Sequence, residues 1–267
     1  MDAYYDDAAG QKITAEISIA NEMQQALDEM QFAVYFQPKY NLSTEYPCGA
    51  EALVRWEHPT KGLILPGQFI SVFEKNGFIT KLDYYVWEQT CCMLRDWTYA
   101  GFEPYPVSVN LSRISWCHPQ LVDIMTSLIR SYDILPSLLE LEITESTYMS
   151  NPKMMEKTIE ALQKAGFTIL MDDFRSDHSS LATLERIKID ALKIDTKFLS
   201  LDGEAGHSKI ILNSIIEMAK RLAVKVVIEG VETKGQLDFV KEIGVDCAQG
   251  FYFAKPMPLN EYEQNYV

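Results

Sequence analysis

The chain of 267 residues carries 38 acidic against 24 basic side chains, and a formal net charge of −14 opposes adhesion to DNA, RNA or an anionic membrane, so a phosphate-bearing ligand would need local cations. Its five cysteines form no CxxC pair and its four histidines lie far apart, which argues against a Cys/His zinc site and for reduced thiols in the cytoplasm. No apolar run approaches the roughly 20 residues of a membrane helix, and the acidic first ten residues lack the apolar centre of a signal peptide.

Residues 1–17 read as a polar tail and 18–267 as one barrel-sized domain. Ile19, Met23, Ala26, Leu27 and Met30 share one helical stripe, which predicts an outer helix over 17–30. Strand patterns follow at 32–40 and 48–56, joined by a turn-rich stretch too short for a crossover helix, so the two strands should be antiparallel. Helices are expected over 63–77, with Pro66 at the start and Gly77 at the stop, and over 79–100.

From there strands and helices alternate. Strand 105–111 precedes helix 114–132, strand 138–144 precedes helix 152–164, and strand 167–171 runs into Asp172 and Asp173. A short helix from Ser179 leads to strand 191–194, helix 208–222 to strand 224–228, and helix 234–243 to strand 246–253. Such alternation implies a parallel sheet, and eight strands in this length favour an α/β fold closed as a modified (β/α)8 TIM-like barrel with an antiparallel first strand. A dinucleotide-binding sheet is disfavoured because no GxGxxG follows any strand.

In such a barrel, polar residues near the C-terminal strand ends meet at one face. Strand two carries Glu51 and Arg55, strand three ends in Asn110, and strand four carries Glu142 with Glu145 just beyond it. Asp172 and Asp173 end strand five, Lys193 lies on strand six, Glu229 ends strand seven, and Gln249 lies on strand eight. Each alone is explained by a helix cap or an ion pair. Together, four or five carboxylates against one lysine and one arginine leave an excess of negative charge that is expensive to bury. Divalent cations would balance it, and an Asp, Glu and Asn donor set suits Mg²⁺ or Mn²⁺. Phosphate ester hydrolysis is the chemistry such ions naturally serve.

The residues also form an ordered set of motifs: Glu51-Ala52-Leu53 within EALVRW, YFQP at 35–38, VNLS at 109–112, EITES at 142–146, DDF at 172–174, LKID at 192–195, IEGVET at 228–233 and QGFYFAKPMP at 249–258. By this set the chain, from about Met30 onward, resembles the EAL domain family of cyclic di-GMP phosphodiesterases. The resemblance implies opening of one phosphodiester of cyclic di-GMP to linear pGpG, in bacterial second-messenger signalling, with two Mg²⁺ or Mn²⁺ ions. Carried over by motif, Glu51, Asn110, Glu142 and Asp172 would hold the first ion and Asp173 would help hold a second. Glu229 would join the metal and water network, and Lys193 would orient or deprotonate the attacking water. Gln37 and Arg55 would contact substrate, Gln249 would support the site, and Glu145 would brace the loop after strand five. The resemblance further implies a homodimer and an upstream sensory or GGDEF-type module outside this chain, with the domain in the cytoplasm.

That loop departs from the family pattern Asp-Asp-Phe-Gly-Thr-Gly-Tyr-Ser-Ser-Leu. Here Arg175 and Asp177 stand at the two glycine positions, followed by His178. If either position needs a positive φ, the replacement costs on the order of 1 kcal/mol. Arg175 could instead pair with Glu145 or Asp177. The altered loop therefore keeps open a second class of function, a weak or inactive cyclic di-GMP receptor or interaction module.

Overall fold

A computed structural model describes residues 2–174, 188–196 and 205–267 of the chain. Helix α1 (Asp2–Asp28) begins well before the predicted 17–30 and is followed by strands β1 (Phe32–Asn41), β2 (Pro47–His58) and β3 (Gly62–Ile64). Helices α2 (Pro66–Asn76) and α3 (Ile79–Tyr99) precede β4 (Val107–Asn110), α4 (Arg113–Trp116), α5 (Leu121–Ser131), β5 (Leu139–Thr144), α6 (Glu145–Ser150), α7 (Pro152–Lys164) and β6 (Thr168–Asp172). The remaining described elements are β7 (Ala191–Asp195), α8 (Ala205–Arg221), β8 (Lys225–Glu229), α9 (Lys234–Glu242), β9 (Cys247–Ala248), β10 (Met257–Pro258) and α10 (Leu259–Tyr266). The predicted short helix from Ser179 and the altered loop at 175–178 lie outside the described residues.

β1 pairs antiparallel with both β2 and β9, whereas β2, β4, β5, β6, β7, β8 and β9 follow one another in parallel, closing an eight-stranded barrel with one reversed strand. The expected modified barrel and its hairpin are both present. β3 and β10 are additions at the edges, pairing with β2 and β1.

Strand alternation divides the residues by face. Leu139, Leu141 and Ile143 of β5, Ile169 and Met171 of β6, Leu192 and Ile194 of β7, and Val226 and Ile228 of β8 are buried against the surrounding helices in one core cluster. The intervening Glu140, Glu142, Asp172, Lys193 and Glu229 consequently face the interior. A smaller aromatic cluster of Phe32, Trp56, Phe69, Phe73 and Phe78 seats α1 and α2 against the β1–β2 hairpin.

Three expectations on elements are corrected. The helix predicted over 114–132 is broken between Trp116 and Leu121; the separate turn before the break is capped by the Ser112 hydroxyl, which accepts from the Ser115 N–H (3.2 Å), and Asp83 of α3 accepts from the Ser112 backbone N–H (2.9 Å) and the Ser115 hydroxyl (2.7 Å), holding that cap in place. Leu63 lies in β3 rather than in a helix, which starts at Pro66 because Pro supplies no N–H to the preceding turn. The strand expected over 246–253 shrinks to Cys247–Ala248, since Gly250 turns the chain back onto Val231.

Candidate active site

Lys193 lies on β7 in the barrel interior and is 1% exposed, and its ammonium is the centre on which the acids converge. Glu142 of β5 and Glu229 of β8 each approach Nζ to 2.7 Å, Glu51 of β2 to 3.3 Å and Asp172 of β6 to 3.6 Å. Glu51 is held from three sides, by Lys193, by the Asn110 amide (3.2 Å) and by the Gln249 amide (2.5 Å). Gln249 also donates to Gln37 Oε1 (3.2 Å), and Gln37 donates to the Ala254 carbonyl (3.0 Å). Eight of the predicted site residues thus form one connected group.

Backbone clamps place these side chains. The indole N–H of Trp87 donates to the Asn110 carbonyl (3.2 Å), and that of Trp116 to the Glu142 carbonyl (3.0 Å). Beside Glu229, the Thr196 hydroxyl donates to the Gly230 carbonyl at 2.6 Å, tying the ends of β7 and β8 together. Such bonds fix the backbone from which these side chains project.

The other three predicted residues do not carry an ion pair to Lys193 among the distances above. Asp173 is exposed, with φ +54°, and its N–H donates to Asp172 Oδ1 (2.8 Å); a strained non-glycine backbone of this kind persists where its surroundings over-determine it. Arg55 is half-buried farther along β2, donating to the Val54 carbonyl (2.9 Å) with its guanidinium 5.8 Å from the Tyr35 ring centre. Glu145 is buried in the first turn of α6, directly after the Thr144 cap; its proposed brace to Arg175 lies outside the described residues.

Burial and mutual repulsion set the protonation of the group. Burial, then the charge of Glu51, pushes Glu142 up to about 7, and burial in the same company pushes Glu229 up to about 8. Burial also raises Asp172. Glu51 goes the other way: burial opposes its charge, but Lys193 and the Gln249 amide outweigh it. Lys193 is held well above the usual lysine range, because Glu142, Glu229, Glu51 and Asp172 overcome its burial.

A pH dependence of stability follows. Glu142 and Glu229 in the folded chain keep protons that unfolded carboxylates, titrating near 4.5, have released. The folded state binds more protons over this window, so stability falls as pH rises from about 4.5 to 8. In chelator, the unfolding midpoint is expected to be lower at pH 8 than at pH 5.5 by roughly 5 °C; a midpoint that rises instead would contradict the assignment.

Among the described residues, no group of three or more acids, histidines or cysteines is arranged at metal-binding separation, because the acids gather on the ammonium. The donor chemistry nevertheless suits a hard cation, being carboxylate and amide oxygen throughout. Glu142 Oε1 is buried with no hydrogen-bond partner, a lone pair that a cation would satisfy.

A cleft of about 510 Å³ opens above the group, bounded by Gln37, Glu51, Glu229 and Gln249 and also by four residues outside the predicted set, Leu53, Asp195, Thr196 and Phe251. Asp195 lies two residues after Lys193 and shares its face, so alternation alone would have found it. Lys39 was missed in the same way, two residues after Gln37. It is 3% exposed and binds Glu140 and Ser108, both at 2.9 Å, as a separate polar group within the barrel.

Residues 20–256 match the EAL domain family. The chain is 33% identical over 258 residues to the bifunctional diguanylate cyclase/cyclic di-GMP phosphodiesterase MucR of Pseudomonas aeruginosa, covering 97% of this chain and 38% of the relative. It is 37% identical over 253 residues to the cyclic di-GMP phosphodiesterase NbdA of the same organism, covering 95% of this chain and 32% of the relative. The chain thus spans about a third of the length of these curated relatives. The solved structure of the MucR phosphodiesterase in complex with c-di-GMP superposes with a TM-score of 0.86 at 36% identity, over 91% of this chain and 99% of that one. The EAL enzyme Bd1971 in its cAMP- and cyclic-di-GMP-bound form gives 0.87 at 26% identity, over 98% and 71%.

Proposed function

This chain belongs to the EAL domain family, and from that membership we propose that it hydrolyses one phosphodiester bond of cyclic di-GMP to linear pGpG with Mg²⁺ or Mn²⁺ bound. The observation that carries the reading is the convergence of Glu51, Glu142, Asp172 and Glu229 on Lys193 at the floor of an open cleft. The complexes of the MucR phosphodiesterase and Bd1971 with cyclic di-GMP support the choice of ligand.

Glu51, Asn110, Glu142 and Asp172 would hold one ion, and Asp173, at the exposed rim, would contribute to a second. Two such ions polarise phosphate oxygens and acidify water. Lys193, kept as an ammonium by its acids, orients the attacking water and offsets negative charge developing on the phosphate. For Lys193 to take a proton instead, bound cations must bring its pKa down from the high value the carboxylates impose. Glu229 fixes the ammonium and belongs to the water network. Gln37 and Arg55 offer donors to the ligand, and Gln249 holds Glu51 in place. Homodimerisation, an upstream sensory or GGDEF-type partner and a cytoplasmic setting belong to the same proposal; among the described residues no helix is long and apolar enough to cross a membrane.

Purified protein with cyclic di-GMP and Mn²⁺ is expected to release pGpG, and chelator to abolish release. Ligand binding without product would overturn the hydrolase reading in favour of a receptor. Activity appearing on the double change Arg175→Gly with Asp177→Gly would then place the cause in the loop.

A further inference from the structure

Four of the five cysteines were expected to be no more than reduced thiols, and so was the fifth, yet the fold brings two of them together across 199 residues of chain. Cys48 Sγ on β2 and Cys247 Sγ on β9 stand 3.2 Å apart, and both residues are partly accessible. Their strands flank β1, which pairs with each of them, so the seam that closes the barrel fixes the approach. The other three thiols differ: Cys91 is fully buried, Cys92 accepts from Arg95 (3.2 Å), and Cys117 is exposed in the turn after α4.

We propose that Cys48 and Cys247 form a reversible disulfide on exposure to a hydroperoxide. Sulfurs in contact at 3.2 Å need about 1 Å of approach to reach the bonded distance of about 2.05 Å. Two thiols packed only as small apolar groups would be shut away from solvent and from charge. These are reached by solvent, and the buried ammonium of Lys39, on the strand between them, acts on both. Either thiol can donate to the other, so whichever of the two is the thiolate attacks and its neighbour resolves.

The steps balance. One of the two as thiolate attacks one peroxide oxygen, the O–O bond breaks, and hydroxide leaves as the sulfenic acid forms. Its neighbour then attacks the sulfenic sulfur, the S–O bond breaks, and the thiol proton leaves with the hydroxyl as water. Two thiols and one hydrogen peroxide thus give one disulfide and two waters. The new bond would tie β2 three residues before Glu51 to β9 two residues before Gln249, beneath the two side chains that hydrogen-bond at 2.5 Å. The tie can be read without any turnover, so its fate is separate from that of the hydrolase reading.

The test uses the full chain with Cys117→Ser, which removes the exposed thiol and leaves four. After equimolar hydrogen peroxide and a catalase quench, thiols titrated under denaturing conditions should fall from four to two and return to four with dithiothreitol. Digestion should give one joined peptide pair containing Cys48 and Cys247, 2 Da lighter than the sum of its reduced parts. The oxidised protein should unfold at a higher temperature than the reduced one. Adding Cys48→Ser or Cys247→Ser should abolish the joined peptide while the reduced unfolding midpoint stays close to that of the parent. Four persisting thiols would overturn the proposal, as would sulfinic acid without the joined peptide, or a disulfide joining any other pair.

Discussion

Lys193→Met is expected to lower turnover by about 10³-fold at saturating Mn²⁺ and to destabilise the metal-free protein by about 3 to 5 kcal/mol. Methionine matches the four-atom stem of lysine up to Cε and lacks the ammonium, so the result reports chiefly the loss of that charge. Glu142 and Glu229 lose their 2.7 Å partner, and Glu51 and Asp172 lose theirs at 3.3 and 3.6 Å. Four acids would then share an interior with no cation among the described residues that contact them all. They respond by binding protons, so the loss of stability should shrink toward pH 5 and grow toward pH 8, and divalent cation should recover part of it. Denaturant unfolding in chelator at the two pH values, beside the turnover assay, reads both effects. Unaltered turnover would remove Lys193 from the chemistry, and unaltered stability would show that the acids do not depend on it.

Gly250→Ala should cost about 3 kcal/mol, by a different route. A Cβ at position 250 would lie 2.3 Å from both the backbone N and O of Val231, far inside contact distance and against atoms that have no rotamer to move. Val231 is fully buried, and it is joined to this turn by its N–H to the Gln249 carbonyl (3.2 Å) and by its carbonyl to the Tyr252 N–H (2.9 Å). Relief requires the turns after β8 and β9 to part. Those turns carry Glu229 and Gln249, so turnover should fall together with the unfolding midpoint. A variant within about 1 kcal/mol of the parent would show that the two turns separate easily and that the close approach is incidental.

The barrel was legible because its strands and helices announce themselves locally. The boundaries of α7, and the Pro66 and Gly77 ends of α2, follow from residues that have no alternative backbone role. The separate turn of α4 and the shortness of β9 were not legible, because each involves a partner distant in the chain: Asp83 holds the Ser112 cap of α4, and Val231 receives the bend at Gly250. Lys39 illustrates the same limit inside the barrel. Its position on β1 puts it on the face of Gln37, but only closure of the sheet shows that Glu140 and Ser108 surround it.

By itself, the order of residues determined the alternation of elements, the antiparallel opening hairpin, and a set of acids with one lysine at corresponding ends of successive strands. These are consequences of period-two alternation and of glycine and proline chemistry, which act over a few residues. Only the tertiary structure decided that four acids meet one ammonium within 3.6 Å, that Asp173 and Arg55 stand outside that contact, and that Cys48 and Cys247 touch. Stagger between strands sets the height of each side chain in the barrel, and distance and desolvation set its charge. Both arise only when the sheet closes on itself and excludes water from the interior.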